Sequence, residues 1–183
     1  MNKIEFEQKL IELNLTIKKL SVHIKEDDKT IKSWKTIPTH IVNFLYSYEY
    51  KIKFQKLQRE FLSIKQANKW KFELHHQAIY DFVVHEKRYV EFCINDYDII
   101  IRKGNKDFGF MHFILRHFGN DSDGEIKALD ILKLGNVIKQ DITIPAKSRN
   151  RIVFIQNKNN IKYTVILKKE KSGKLLFNFF SDN

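Results

Sequence analysis

The sequence predicts an α+β protein, with a helical amino-terminal segment followed by a domain of helices packed on a small antiparallel sheet. Three observations carry that expectation. The first 70 of the 183 residues contain no glycine and one proline, and their apolar residues recur at helical spacing. Beyond Trp70 the texture changes to short β-branched and aromatic runs punctuated by Asn, Asp and Gly. The change of texture places the division between residues 1–70 and 71–183.

In the first segment, Ile4, Phe6, Leu10 and Leu13 approximate one helical face, and Asn14 breaks the helix before Thr16 can cap the next. A second helix is expected over Ile17 to Ile24, with Ile17, Leu20 and Ile24 inward. The polar stretch Lys25-Glu26-Asp27-Asp28 forms a turn, and Asp28 or Thr30 caps a short helix bearing Ile31 and Trp34. Pro38 suits the start of a longer helix that continues through Ile41, Leu45 and Ile52 towards Trp70.

In the second segment, residues 75–85 continue as helix, and Tyr89–Ile94 and Tyr97–Arg102 read as a hairpin about Asn95-Asp96. Adjacent His75 and His76 are expected to point different ways, without the companions a metal site needs. A helix over residues 108–118 presents Met111, Ile114, Leu115 and Phe118, with Gly119 as its C-cap. The loop 120–125 has a calcium-loop look without the full ligand series and reads as a turn, followed by a helix from Glu125 to Gly135 or Lys139. Three strands, Arg151–Gln156, Lys162–Leu167 and Leu175–Phe180, complete an antiparallel meander through turns at 157–160 and 171–173.

Charge and cysteine content narrow the class of function. Residues 1–70 carry 14 Lys/Arg against 8 Asp/Glu, residues 71–144 carry 10 against 12, and residues 145–174 carry 9 against 1. Two separated basic regions point to two nucleic-acid contacts, the alternative being a solvated basic surface. No apolar run approaches the roughly 20 residues that span a bilayer, and the start lacks a signal-peptide pattern, so a cytoplasmic protein without membrane contact is expected. The single cysteine, Cys93, permits no internal disulfide and reads as a core residue.

His112 and Arg116 stand four apart on one helical face, while His117 projects roughly 140° from His112 and sits in the last turn. An imidazole that titrates near neutrality and a guanidinium that grips phosphate are the parts needed to cleave a phosphodiester without a metal. Each also has a quieter explanation, as an exposed polar face or a helix-end histidine favourable to the dipole.

Two resemblances follow from these residues. Leu20-Ser21 through Thr30-Ile31-Lys32-Ser33-Trp34 and Ile37-Pro38 resembles a helix-turn-helix DNA-binding unit, although Lys25 and Glu26 stand where glycine and an apolar residue are usual. This implies a recognition helix over Thr30–Lys35 that presents Lys29, Lys32 and Lys35 to duplex DNA. The alternative is a helical bundle for dimerisation or docking. The order of elements from Tyr89 onward, with Gly109-Phe110-Met111-His112-Phe113-Ile114-Leu115-Arg116-His117 and a closing basic hairpin, is similar to the phage-associated nuclease group related to barnase, EndoU, colicin and RelE toxins. That resemblance implies a metal-independent ribonuclease needing no cofactor. His112 or His117 would be general base and acid, and Arg116 with Arg151 or Lys147 would stabilise developing charge. Ser181, after the last strand, would touch substrate, and Lys147, Arg149 and Lys162 would line the RNA path. Asn178 replaces the usual hydroxyl inside that strand.

The resulting expectation is a toxin-like RNase with an amino-terminal DNA-binding segment, acting on RNA and held in check by a neutralising protein partner. The alternative is a non-catalytic DNA-binding transcriptional regulator or a phage-related interaction protein.

Overall fold

The structure, a computed structural model, describes residues 1–67, 71–119, 125–140, 142–144, 150–158 and 161–182, with the side chains of 178–182 left aside. Five helices come first: α1 (Lys3–Glu12), α2 (Ile17–Ile24), α3 (Asp28–Ser33), α4 (Thr39–Ala67) and α5 (Leu74–Val84). Strands β1 (Tyr89–Ile94) and β2 (Tyr97–Arg102) precede α6 (Gly109–His117), α7 (Ala128–Leu132) and α8 (Gly135–Lys139). Strands β3 (Thr143–Ile144), β4 (Arg151–Lys158), β5 (Ile161–Lys169) and β6 (Leu175–Asp182) follow. The chain is α+β, as its sequence predicts. It divides into two compact units, Met1–Lys51 and Ile52–Asn183, and the division falls inside α4.

Local chemistry places the boundaries of the first unit. Asn2 and Glu5 form a capping box at α1, each side chain accepting from the other's backbone N–H at 2.9 Å. Asn14 turns the chain at φ 49°, and the Thr16 hydroxyl caps α2 by accepting from the Lys19 N–H at 3.2 Å. Lys25 leaves α2 in the left-handed region, φ 59°, where a non-glycine residue carries a steric cost. The core joins Phe6 and Leu10 of α1 to Leu20, Ile31, Ile41 and Leu45, with Trp34 edge-on to Phe6 at 6.1 Å.

Two expectations for this unit change. Ile4 is 79% exposed, because the buried stripe of α1 runs through Phe6 and Leu10 alone. The third helix is Asp28–Ser33 rather than Thr30–Lys35: Trp34 turns extended at ψ 122°, Ile37 enters the core, and Lys35 lies beyond the helix.

The second unit is built on one six-stranded sheet of order β1-β2-β6-β5-β4-β3. The β1–β2 hairpin turns at Asn95-Asp96, at φ 47° and 63°, and β4, β5 and β6 form the expected antiparallel meander. Parallel pairing of Ile99 and Ile100 with Leu175 and Leu176 joins the two pieces, and β3 adds an edge that the sequence reading did not contain. Helix α6 packs on β2 and β6. Its Phe113 meets Phe177 at 6.3 Å, and its Phe110 meets Phe82 at 5.0 Å and Phe54 at 6.4 Å. The buried face is therefore Phe110, Phe113 and Ile114, with Met111 and Leu115 only half-buried.

Three further expectations are corrected. The helix expected from Glu125 onward is divided into α7 and α8. Cys93 is exposed, because β1 turns Val90 and Ile94 inward and Glu91 and Cys93 outward. Ser181 belongs to β6 rather than following it, in register with Tyr163. Of the turn expected at 157–160, Asn157 and Lys158 belong to β4, while 159–160 and most of the acidic loop 120–125 lie outside the described residues.

His75 and His76 are both buried, and their rings approach to 3.9 Å rather than diverging. The His76 Nδ1 accepts from the Glu73 N–H at 3.1 Å, and a side chain added at Gly135 would collide with the His75 ring. Burial and the neighbouring His76 charge lower the His75 pKa from 6.5 to about 4, against the pull of Glu73, and burial lowers that of His76 as well. In the unfolded chain these groups take up protons near pH 6.5 that the folded chain refuses, so folding stability is full above that pH and declines towards pH 4. Urea unfolding should show a falling midpoint between pH 6.5 and 5, where ordinary carboxylates contribute little, and His75→Gln should flatten that slope.

Candidate functional site

The candidate site is organised by the loop between β2 and α6. Gly104 and Gly109 adopt φ 66° and 78°, and a Cβ at Gly104 would run into the Phe108 carbonyl. The loop closes through Asn105 N–H to Phe108 C=O at 2.9 Å and Met111 N–H to Lys103 C=O at 2.8 Å. The Asn105 side-chain oxygen also accepts from the N–H groups of Asp107 (2.9 Å) and Phe108 (3.2 Å).

This tight turn presents the Lys106 carbonyl to His112 Nδ1 at 2.7 Å. A carbonyl only accepts, so Nδ1 carries the proton and the Nε2 lone pair of the neutral ring is left for chemistry. His112 is half-buried and faces a cavity of about 390 Å³ whose lining includes Asp107, Phe108, Gly109, Arg151, Lys168 and Leu176. Arg151 and Lys168 are cross-strand partners on β4 and β5, and Lys168 is in turn partnered by Leu176 on β6. Their side chains therefore share one face of the sheet. Asp107 is paired with the Lys106 ammonium at 2.8 Å, whereas neither Arg151 nor Lys168 has an acidic partner among the described residues. Like charges placed directly opposite each other destabilise a sheet, and an anion in the cavity would relieve that cost.

The predicted site residues are thus brought together only in part. His112 and Arg151 line the same cavity. Arg116 is exposed on α6, outside that lining, and the His117 ring lies against Phe113 at 5.9 Å while its carbonyl accepts from the Ile126 N–H at 2.7 Å. Ser181 pairs with Tyr163, and Lys162 stands six residues along β5 from Lys168, roughly 20 Å at the rise of a strand. Lys147 and Arg149 lie outside the described residues. Lys29 and Lys32 are exposed on α3, and Lys35 is exposed beyond it, all within the first unit.

Sequence reasoning missed Lys168 and Phe108. Lys168 has a usable signal, since it ends an apolar strand within the most basic stretch; what assigns it to His112 is register, which no spacing in the sequence displays. Among the described residues, no group of three or more His, Cys, Asp or Glu is placed to hold a metal ion, and no helix is long and apolar enough to cross a membrane. Comparison with known proteins finds no matching family model, no matching curated protein and no matching solved structure.

The tautomer of His112 is directly measurable. Long-range ¹⁵N–¹H correlation above pH 8 should show Nδ1 protonated and Nε2 bare, and Gly104→Ala, which displaces the Phe108 carbonyl and with it the loop, should abolish that pattern.

Proposed function

We propose that the second unit is a metal-independent, toxin-like endoribonuclease and that the first unit contacts duplex DNA. The observation that carries the enzymatic part is a histidine, its Nδ1 held by a backbone carbonyl, lining a cavity that also holds a guanidinium and an ammonium without acidic partners among the described residues. In this reading Nε2 of His112 accepts the proton of a ribose 2′-hydroxyl as its oxygen attacks the adjacent phosphorus. The 5′-oxygen leaves and takes a proton from solvent, so the products are a 2′,3′-cyclic phosphate and a 5′-hydroxyl. Arg151 and Lys168 hold the phosphoryl oxygens as negative charge builds on them. A nuclease acting on the RNA of its own cell calls for a neutralising protein partner, and that partner belongs to the same proposal.

Total RNA incubated with the full chain in EDTA tests the reading. Cleavage leaving cyclic phosphate ends is expected; His112→Ala should lower kcat by roughly 10²–10⁴-fold and Arg151→Ala by about 10²-fold. His117→Ala, outside the cavity, should stay within about tenfold of the unaltered chain, the range that weaker packing against Phe113 explains. Intact RNA at micromolar protein would end the enzymatic reading.

The alternative of a DNA-binding regulator draws on the first unit. Two helices meet through the left-handed Lys25, and the second exposes Lys29 and Lys32, three residues apart on one face. Gel-shift titration with duplex DNA should show binding that weakens with salt, and removing both lysines should lower the slope of log K against log salt by about 0.9 for each phosphate that is no longer neutralised. An unchanged slope would exclude α3 as the helix that meets the DNA.

A further inference from the structure

The cavity beside His112 adjoins a second one. This second space, about 530 Å³, is lined by Arg102, Lys168, Lys169, Glu170, Lys171 and Ser172, and it shares Lys168 and Leu176 with the first. Its one acid, Glu170, is engaged by the Arg102 guanidinium at 2.7 Å. Lys168, common to the two spaces, and Lys171 in the second have no acidic partner among the described residues, so each space carries uncompensated positive charge. Each volume lies within the range of about 300–1,000 Å³ typical of a small-ligand site, so each suits one nucleotide-sized group.

The loop wall of the first cavity adds an aromatic surface. Phe108 is 55% exposed, and its contribution to the loop is made by its backbone: the carbonyl accepts from Asn105 and the N–H donates to the Asn105 side chain. The ring is therefore not needed to close the turn that positions His112. An exposed ring beside a basic track is the pairing used to hold single strands, because every unpaired base offers a face for stacking. In a duplex those faces are occupied by neighbouring base pairs, and only ends, loops and bulges present them.

We infer that the two cavities form one track for a single strand of RNA, with Phe108 stacking the base next to the scissile phosphate and Lys171 holding a neighbouring phosphate. For its chemistry this rests on the ribonuclease reading; for binding it stands separately. A substrate confined to one nucleotide would leave the second cavity empty, so the track selects strands of several nucleotides.

The test is fluorescence anisotropy of the full chain in EDTA, using an uncleavable 2′-O-methyl RNA of about 12 nucleotides, within the usual single-strand site sizes, alone and annealed to its complement. Phe108→Ala should weaken single-strand binding on the order of tenfold at every salt concentration, with little effect on the duplex. Phe108→Leu, which keeps apolar bulk without the aromatic face, should lose nearly as much; it also serves should the alanine variant prove misfolded by circular dichroism. Lys171→Ala should lower the single-strand salt slope by about 0.7 for the phosphate released from the track. Unaltered single-strand affinity in the Phe108 variants, or equal losses on single strand and duplex, would overturn the track. Selective single-strand binding with intact total RNA would instead remove the ribonuclease reading and leave the track standing. Cleavage of total RNA without these selective losses would do the reverse.

Discussion

The hydrogen bond from His112 Nδ1 to the Lys106 carbonyl is the interaction on which the candidate site depends, and the fold is arranged so that neither end of it can drift. On one side, β2 is fixed in the sheet by β1 and by its parallel pairing with β6, which sets where the loop begins. On the other, α6 is wedged by Phe110 against Phe82 and by Phe113 against Phe177, and the Lys53 ammonium donates to the Leu115 carbonyl at 3.1 Å near the helix end. Between these fixtures two glycines allow the chain to turn in the space available. A carbonyl held this way selects one imidazole tautomer, and the tautomer decides which nitrogen keeps its lone pair.

The charges opposite His112 follow a different logic. Arg151 and Lys168 face each other across β4 and β5, an arrangement that works against the sheet it belongs to. Several cations elsewhere are matched: Lys9 to Glu49 at 2.7 Å, Arg102 to Glu170, Lys174 to Glu91. Lys9 is informative because burial lowers its pKa, yet the hydrogen bond and charge of Glu49, with help from Glu12, raise it overall. The chain thus compensates a cation when it serves structure. Two cross-strand cations left without an acid beside an oriented histidine are suited to an anionic visitor.

What the sequence made legible was local. Thr16 as a cap, Lys25 as the turn, Asn95-Asp96 as the hairpin and the closing meander each follow from residue types within a few positions, and the structure contains them all. Features that depend on distant packing were not legible. Gly135 sits where α8 approaches His75, sixty residues earlier in the chain, and nothing in the sequence around the helix expected to end at Gly135 or Lys139 announces that α7 stops at Leu132 and α8 begins at Gly135. Cys93 looked like core because it follows Phe92 and precedes Ile94, but strand alternation alone decides its face, and the register of β1 with β2 decides that alternation. For the site, His112 and Arg151 were recognisable by chemistry, whereas Lys168 joined them only through the pairing of β4 with β5.

The same distinction bears on the first unit, where Glu26, Asp27 and Asp28 directly precede the lysines of α3 in sequence and carry the charge that repels phosphate. Their position gives them a structural role. Asp27 occupies the N-cap of α3 and Asp28 its first turn, where negative charge is favoured by the helix dipole. Asp28 and Lys32 are four residues apart and stand about 40° from each other around the helix, so Asp28 borders the face the lysines share, but it is half-buried while Lys29 and Lys32 are exposed. Asp27 makes no side-chain capping bond, so the contribution of the acids is their negative charge at the start of a six-residue helix, and Lys29 and Lys32 remain exposed. A basic surface can therefore coexist with an acidic sequence neighbourhood, because the acid nearest the lysines is drawn in at the helix start while both lysines reach outward.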